Sequence, residues 1–328
     1  MDIQDKALYN LLRINWQEDP SLKVKSWQVE DYRRLSTEEL FSRLSQLGIM
    51  LSPESLIMYA ETLESPEDLA DCLWVDEEDK EGYDQAYLIL FELWRRFLPD
   101  KQTLSIFCDE LDHRIDLYDQ QTVDDDLIQR SLKELEDILD QSIDRGEDPQ
   151  QVFATIATYC AHDLESFLYD YISHHIEAGN NFYASELLDG FYSYVHNVKW
   201  FDFLKVKLLM ASNEEEADFL LRGLLEQLEE EPDLELLIEI ATFLIHQNDE
   251  RLFIQVVGQA SALMKTEEDF HDLLTVVIEY FRLMDKDGEY ARFKAFLENR
   301  LQIKPSSLLS PADKEVAAFK SYFSKKTV

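Results

Sequence analysis

The chain of 328 residues carries 68 Asp and Glu against 31 Lys and Arg, a net charge of −37, with 45% hydrophobic residues and only 8 Gly and 8 Pro. That charge repels phosphate backbones and anionic lipid alike, which argues against nucleic acid and membrane surfaces as partners. So few turn-forming residues exclude a sandwich or barrel of many short strands, while the apolar content suffices for a sizeable core; the expected fold is all-α.

A first helix is expected from Asp5 to Trp16, with Trp16 and Trp27 clamping this arm to the body. Nothing near Met1 pairs a basic region with an apolar run, and no stretch approaches the length of a membrane span. The expected location is cytoplasmic, although a specialised export system that reads an unstructured amino terminus is left open. Ser36 with Glu39, Ser52-Pro53-Glu54 and Ser65-Pro66-Glu67-Asp68 are three successive helix starts. In two of them proline occupies the first turn, where a helix has no use for its amide hydrogen. Short helices in this sequence imply a compact amino-terminal bundle.

Asp76-Glu77-Glu78-Asp79 is an acidic joint without the glycine or the ligand alternation of a calcium loop, so it reads as a solvated linker. Helices from Tyr83 to Phe97 and from Thr103 to about Tyr118 carry core-forming apolar stripes. The polar, acidic run Asp119 to Asp126 is the best boundary, closing a bundle over residues 1–122. A helix then runs through Leu127, Leu132, Leu135 and Leu139 to Gly146, and Asp148-Pro149-Gln150-Gln151 restarts the chain with a capping-box pattern. Cys72, Cys108 and Cys160 are widely spaced and suggest neither a metal pair nor an even disulfide framework. They are expected to be reduced thiols.

From Val152 to Phe203 the chain is unusually aromatic. Two readings stand for these rings: some line a concave recognition groove, or they fill the seams between helices. Under the first, Tyr169, Tyr192, Tyr194 and Trp200 are the candidate partner-binding residues, and replacing a tyrosine by serine leaves folding intact.

Residues 123–305 are expected to form a helical-hairpin array. Ala217, Leu220, Leu221, Leu224, Leu225 and Leu228 make one stripe, with Ser212 and Glu215 placed to cap its start. After Glu231-Pro232 comes a helix apolar on nearly every side. A stripe of Leu252, Val256, Ala260 and Leu263 follows, then a helix opened by Thr266, then one with Tyr290, Phe293, Leu297 and Leu301. Joints near Asn180, Ser212, Asn248 and Asp287 recur roughly every 32 to 39 residues. Gly288-Glu289-Tyr290 through Lys304-Pro305 resembles the second helix of a tetratricopeptide (TPR) repeat, and Glu216-Ala217 through Leu224 matches its small-residue position. Phe293 and Arg300 depart from that pattern, which wants small residues there. The resemblance implies an α-solenoid that binds protein or peptide. Residues 306–328, with Val316, Phe319, Tyr322 and Phe323 on one edge and Lys314, Lys320, Lys325 and Lys326 around it, are expected to cap the array.

The chemistry that would mark an enzyme is sparse. Glu110 with His113 and Glu268 with His271 have the spacing of helical di-iron ligands, but the two further glutamates of such a site are not singled out. His162-Asp163 resembles the dyad of the HD phosphohydrolases, with His113 as the earlier metal histidine. Asp109-Glu110-Leu111-Asp112 resembles half of an isoprenoid-synthase magnesium motif. No phosphate loop, dinucleotide fingerprint or nucleophile elbow is present. The expected function is therefore a non-enzymatic adaptor or secretion-type chaperone, needing no cofactor, that takes a basic or partly unfolded protein segment on an acidic, aromatic-lined surface. The alternatives are a metal-dependent HD-type phosphohydrolase using His113, His162 and Asp163, and a structural subunit of a larger assembly.

Overall fold

The computed structural model describes residues 12–13, 16–17, 19–76, 78–121, 125–210, 212–247, 249–310 and 312–326. Most of the expected first helix, and residues 122–124 of the expected boundary, lie outside them. Among the described residues every regular element is helical, and the one β-type pairing is an isolated antiparallel bridge between Thr266 and Leu308. The chain divides into two compact units: Met1–His174 with Glu186–His196, and His175–Ser185 with Asn197–Val328.

The first unit opens with a helical turn at Ser26–Val29 and a 3-10 turn at Tyr32–Arg34, followed by α1 (Thr37–Gln46), α2 (Pro53–Ala60), α3 (Pro66–Leu73) and α4 (Lys80–Phe97). Each start is fixed locally. The Ser36, Ser52 and Ser65 hydroxyls accept the backbone N–H of Glu39, Ser55 and Asp68, and Pro53 and Pro66 sit in the first turns, as the sequence dictates. Helix α4 is the hub against which α1, α2, α3 and the 3-10 turn all pack. It buries a continuous run from Ala86 to Leu90 and then Leu93 and Trp94, the pattern of a helix surrounded on all sides. Helices α5 (Leu104–Asp119), α6 (Asp125–Asp144) and α7 (Pro149–Ala157) continue the unit, α6 packing on both α5 and α7.

Helices α8 (Leu164–Glu177) and α9 (Asn181–Phe191) each contribute residues to both units. The aromatic residues that belong to the first unit fill its seams. Tyr171 donates its hydroxyl to Asp125 at the start of α6, and Tyr194 donates to Asp140 near the end of α6, both at 2.6 Å.

The second unit continues with α10 (Val198–Met210), α11 (Glu214–Glu230), α12 (Leu234–Leu244), α13 (Glu250–Leu263), α14 (Glu267–Leu283), α15 (Asp287–Arg300) and α16 (Lys314–Lys326). Helices α10 and α11, α12 and α13, and α14 and α15 pair as hairpins. Side-chain bonds then join hairpin to hairpin at a recurring offset. Trp200 of α10 reaches Asp233 before α12, 33 residues on, and Lys207 reaches Glu239, 32 residues on. Both bonds advance in the same direction, so α10 and α12 run parallel. Gln259 of α13 bonds Glu229 of α11, 30 residues back, and Lys286 bonds Glu250, 36 residues back.

Three details differ from the sequence reading. Helix α11 is capped by Asn213, whose side chain accepts the Glu216 N–H, while the Ser212 hydroxyl turns back to the Leu209 carbonyl closing α10. Asparagine caps as well as serine, and the one nearer the helix prevails. On α11, Leu220 is partly exposed beside an exposed Phe219, leaving Ala217, Leu221, Leu224, Leu225 and Leu228 as the buried stripe. On α15 only Phe293 of the expected stripe is buried. Leu301 is 63% exposed, and the charged Arg300 is 4% exposed.

Arg300 is buried because it is paired. Its guanidinium binds Glu267 at the start of α14, Asp313 at 2.7 Å and Glu315 at 3.3 Å, and lies 5.2 Å above the Phe270 ring. One side chain thus ties the ends of α14, α15 and α16 together. Behind it Phe293 is enclosed by Phe281, Phe319, Tyr322 and Phe323, with α16 packed on α13. The strand-like segment between α15 and α16 crosses the start of α14, where the carbonyls of Ser307 and Pro305 accept the Glu267 and Glu268 N–H groups that the helix leaves free.

Candidate functional site

Two clusters in the first unit hold most residues singled out for chemistry. Arg33, in the 3-10 turn, reaches Asp109 at 2.5 Å and Glu110 at 3.0 Å on α5. Arg95 bridges Glu110 and Glu92, and Arg96 binds Glu92 while donating to the carbonyls of Tyr32, Arg33 and Leu35. Burial pushes the Glu110 carboxyl up, but Arg33 and Arg95 outweigh it and hold it below its ordinary range. Glu110 is therefore committed to two arginines rather than to His113, whose own pKa is lowered by burial and by Arg33. A half-open cavity of about 40 Å³, with Arg33, Glu92 and Asp109 among its lining residues, has room for a water or two.

Asp112 is fully buried and accepts the backbone N–H groups of Ala161 (2.8 Å) and His162 (3.1 Å), pinning the turn before α8 onto α5. The His162 ring lies between two carboxylates, Nδ1 3.2 Å from Asp112 and Nε2 3.3 Å from Asp116. Burial alone would lower its pKa, but hydrogen bonds to Asp112 and Asp116 raise it to about 9. The ring is thus an imidazolium at neutral pH, donating from both nitrogens to carboxylates. Asp163 accepts the Glu165 and Ser166 N–H groups and the Ser166 hydroxyl at the start of α8. His113, His162 and Asp163 are not brought together as ligands, and no group of three or more His, Cys, Asp or Glu among the described residues could hold a metal ion.

Of the four residues expected at a partner surface, Tyr169 and Tyr194 are buried in the first unit and Tyr192 is half-buried. Trp200 lines an open cleft, of about 380 Å³, within the second unit. The cleft sits where α10, α12 and α14 begin, with Asn197, Lys199, Pro232, Asp233, Glu235 and Asp269 completing it around the indole and Leu234. Asp233 has two tasks: Oδ1 caps α12 through the Leu236 N–H at 3.1 Å, and Oδ2 takes the Trp200 indole N–H at 3.0 Å. The ring plane is thereby fixed. Burial pushes the Asp269 carboxyl up, but the N–H groups of Lys265 and Thr266 and the Thr266 hydroxyl hold it below its usual range. Lys199 is drawn to the rim by the Glu231 carbonyl and carboxylate, at 3.1 and 3.2 Å. Three carboxylates against one ammonium leave the cleft net negative.

Sequence reasoning found Trp200 but missed Asp233, Glu235 and Asp269. The available signal was the Pro232-Asp233 helix start lying 33 residues after Trp200, the same offset that relates the hairpins. A further open cleft of about 550 Å³ in the first unit, between α5, α6 and α7, has no aromatic residue in its lining. No helix among the described residues is long and apolar enough to cross a membrane. Compared with known proteins, the chain matches no family model, and no curated protein or solved structure is significantly similar to it.

Proposed function

We propose that the chain is a non-enzymatic binding protein, an adaptor or secretion-type chaperone, whose second unit is a TPR-like hairpin array that takes a basic, extended polypeptide segment. The Trp200 cleft is the anchor point, receiving one lysine or arginine side chain of the partner. The observation that carries this reading is the indole held by Asp233 in a cleft with Glu235 and Asp269. A cation over an indole face gains about 0.5–2 kcal/mol, and carboxylates around it add steering and orientation. The offset of 30 to 36 residues between bonds linking successive hairpins supports a repeat architecture of TPR size. The net charge of −37 supports a basic partner.

Calorimetric titration of the full chain tests this reading. The probe is an unstructured peptide with lysine or arginine at every third position, and the control has serine in place of the cations. Binding of the basic peptide that weakens with salt, and falls by roughly two- to thirty-fold in Trp200→Ala with the fold retained, is expected. Equal affinity for both peptides, or indifference to Trp200→Ala, would overturn it.

A further inference from the structure

We propose that the outer face of α2, in the first unit, is a docking surface for a basic amphipathic helix of a partner protein. Helix α2 turns Leu56 and Ala60, both buried, onto the core of that unit. Its run from Leu56 to Ala60 is nevertheless apolar without a break, the pattern of a helix covered on every side. The other side is open: Met58, opposite the buried pair, is 68% exposed, and Ile57 next to it is 48% exposed. Exposed Glu54 and Glu61 stand one turn before and one turn after these two residues, so the outer stripe is apolar in its middle and anionic at both ends. The Ser52 hydroxyl donates to the Glu54 carboxylate at 2.8 Å and steadies one of those ends. No Lys, Arg or His occurs across residues 44–79, where Glu64 and Asp68 add further exposed carboxylates. Lys101 reaches the end of α2, but its ammonium is taken up by the Ala60 and Leu63 carbonyls.

The chemistry of the face selects its occupant. The side wall of a helix has no free backbone N–H or C=O, so an extended segment finds nothing there to pair with, and a partner lying along α2 has to satisfy its own backbone. An amphipathic helix does so. Its apolar stripe covers Ile57 and Met58, while Lys or Arg one turn to either side meets Glu54 and Glu61. The stripe from Glu54 to Glu61 is ~10 Å long, two turns of helix, and the flexible thioether of Met58 adapts to the shape laid on it. Anionic lipid is repelled by the same carboxylates, and so is a second copy of the chain, whose identical face carries the same charge. The site is separate from the Trp200 cleft, which lies in the second unit and takes a single side chain of an extended segment.

The test uses the full chain with Trp200→Ala, which removes the cleft of the second unit from the measurement, isotopically labelled at its methionine methyl groups. The probe is a synthetic peptide of leucine and lysine with the leucines at helical spacing on one face; the control has the same residues in scrambled order. A saturable NMR shift of the Met58 methyl group, assigned through Met58→Leu, is expected with the probe and not with the control, while Met264 in the core of the second unit holds still. Ile57→Ser combined with Met58→Ser should weaken binding by roughly tenfold or more, read by anisotropy of the labelled probe, with the melting temperature held because both residues are exposed. Glu54→Gln with Glu61→Gln should weaken it by roughly two- to five-fold at low salt and by less at high salt. Absence of binding, binding that leaves Met58 unmoved, or equal binding of the scrambled control would overturn the proposal. A Met58 shift that tracks protein concentration without peptide, the mark of a second copy, or preference for phosphatidylcholine vesicles over the peptide, the mark of a lipid surface, would overturn it equally.

Discussion

Replacing Arg300 with methionine asks the sharpest energetic question of this fold. Arg300 and Glu267 are each 4% exposed, and the guanidinium also binds Asp313 and Glu315. Methionine keeps much of the side-chain volume over Phe270, so the lost term is the charge pairing rather than the packing. The variant strands the Glu267 carboxylate in a site built for an ion pair, and breaking a buried pair in this way costs about 3–5 kcal/mol. At roughly 2–4 °C per kcal/mol for a unit of this size, the melting temperature of the second unit should fall on the order of 10 °C. The double variant Arg300→Met with Glu267→Gln removes both charges and should recover much of the loss. Thermal denaturation followed by circular dichroism, arranged as a double-mutant cycle, gives the coupling directly. A loss below about 1 kcal/mol in the single variant, the range of exposed pairs, would refute the claim that Arg300 fastens α16 to the array.

Three further outcomes follow from the geometry. His162 has its folded-state pKa raised to about 9 from an ordinary 6.5, so its contribution is complete below pH ~6.5 and is lost as the pH climbs through 9. That is worth up to about 3 kcal/mol to the first unit; denaturant melts at pH 6 and pH 9.5 should show the drop, and His162→Gln should flatten it. Gly82, in the first turn of α4, has no room for a methyl: a Cβ there would sit 2.5 Å from the Trp74 ring and against the Asp79 cap. Gly82→Ala should therefore destabilise by about 1–3 kcal/mol despite alanine's better helix propensity, which urea titration would read. Glu235, exposed at the cleft rim, tolerates substitution structurally. Glu235→Lys should weaken binding of the basic peptide by about fivefold, mainly in the association rate, with the melting temperature lowered by no more than a few degrees because a cation in the first turn of α12 opposes the helix dipole.

Much of the fold was legible in the sequence because helix starts are local. Ser36, Ser52-Pro53, Ser65-Pro66 and Thr266 each announce a cap whose partner lies three residues away, and the structure places helices there. What depends on distant partners was not legible. Arg300 reads as a departure from a small-residue pattern until Glu267, 33 residues back, is seen beside it. His162-Asp163 reads as a metal dyad until Asp112, 50 residues earlier, takes the histidine N–H and half its ring. The tyrosines posed the same problem. Tyr194 and Tyr171 carry the composition of a recognition surface, yet their hydroxyls are directed to α6 carboxylates, a choice set by helix placement rather than by residue type. Trp200, of the expected partner-binding residues, lines an open cleft, and the carboxylates around it come from two other helix starts.

The central claim is that the Trp200 cleft binds a basic side chain, and the tryptophans offer a direct probe of it. The sequence places Trp16, Trp27, Trp74 and Trp94 in the first unit and Trp200 in the second. Fluorine NMR of the full chain labelled with 5-fluorotryptophan, with Trp200→Phe assigning the resonance, follows each indole during titration with the lysine- and arginine-bearing peptide. The account predicts a saturable shift of the Trp200 resonance that reverses with salt, while the other four hold still. Saturable binding that leaves Trp200 unmoved would contradict it.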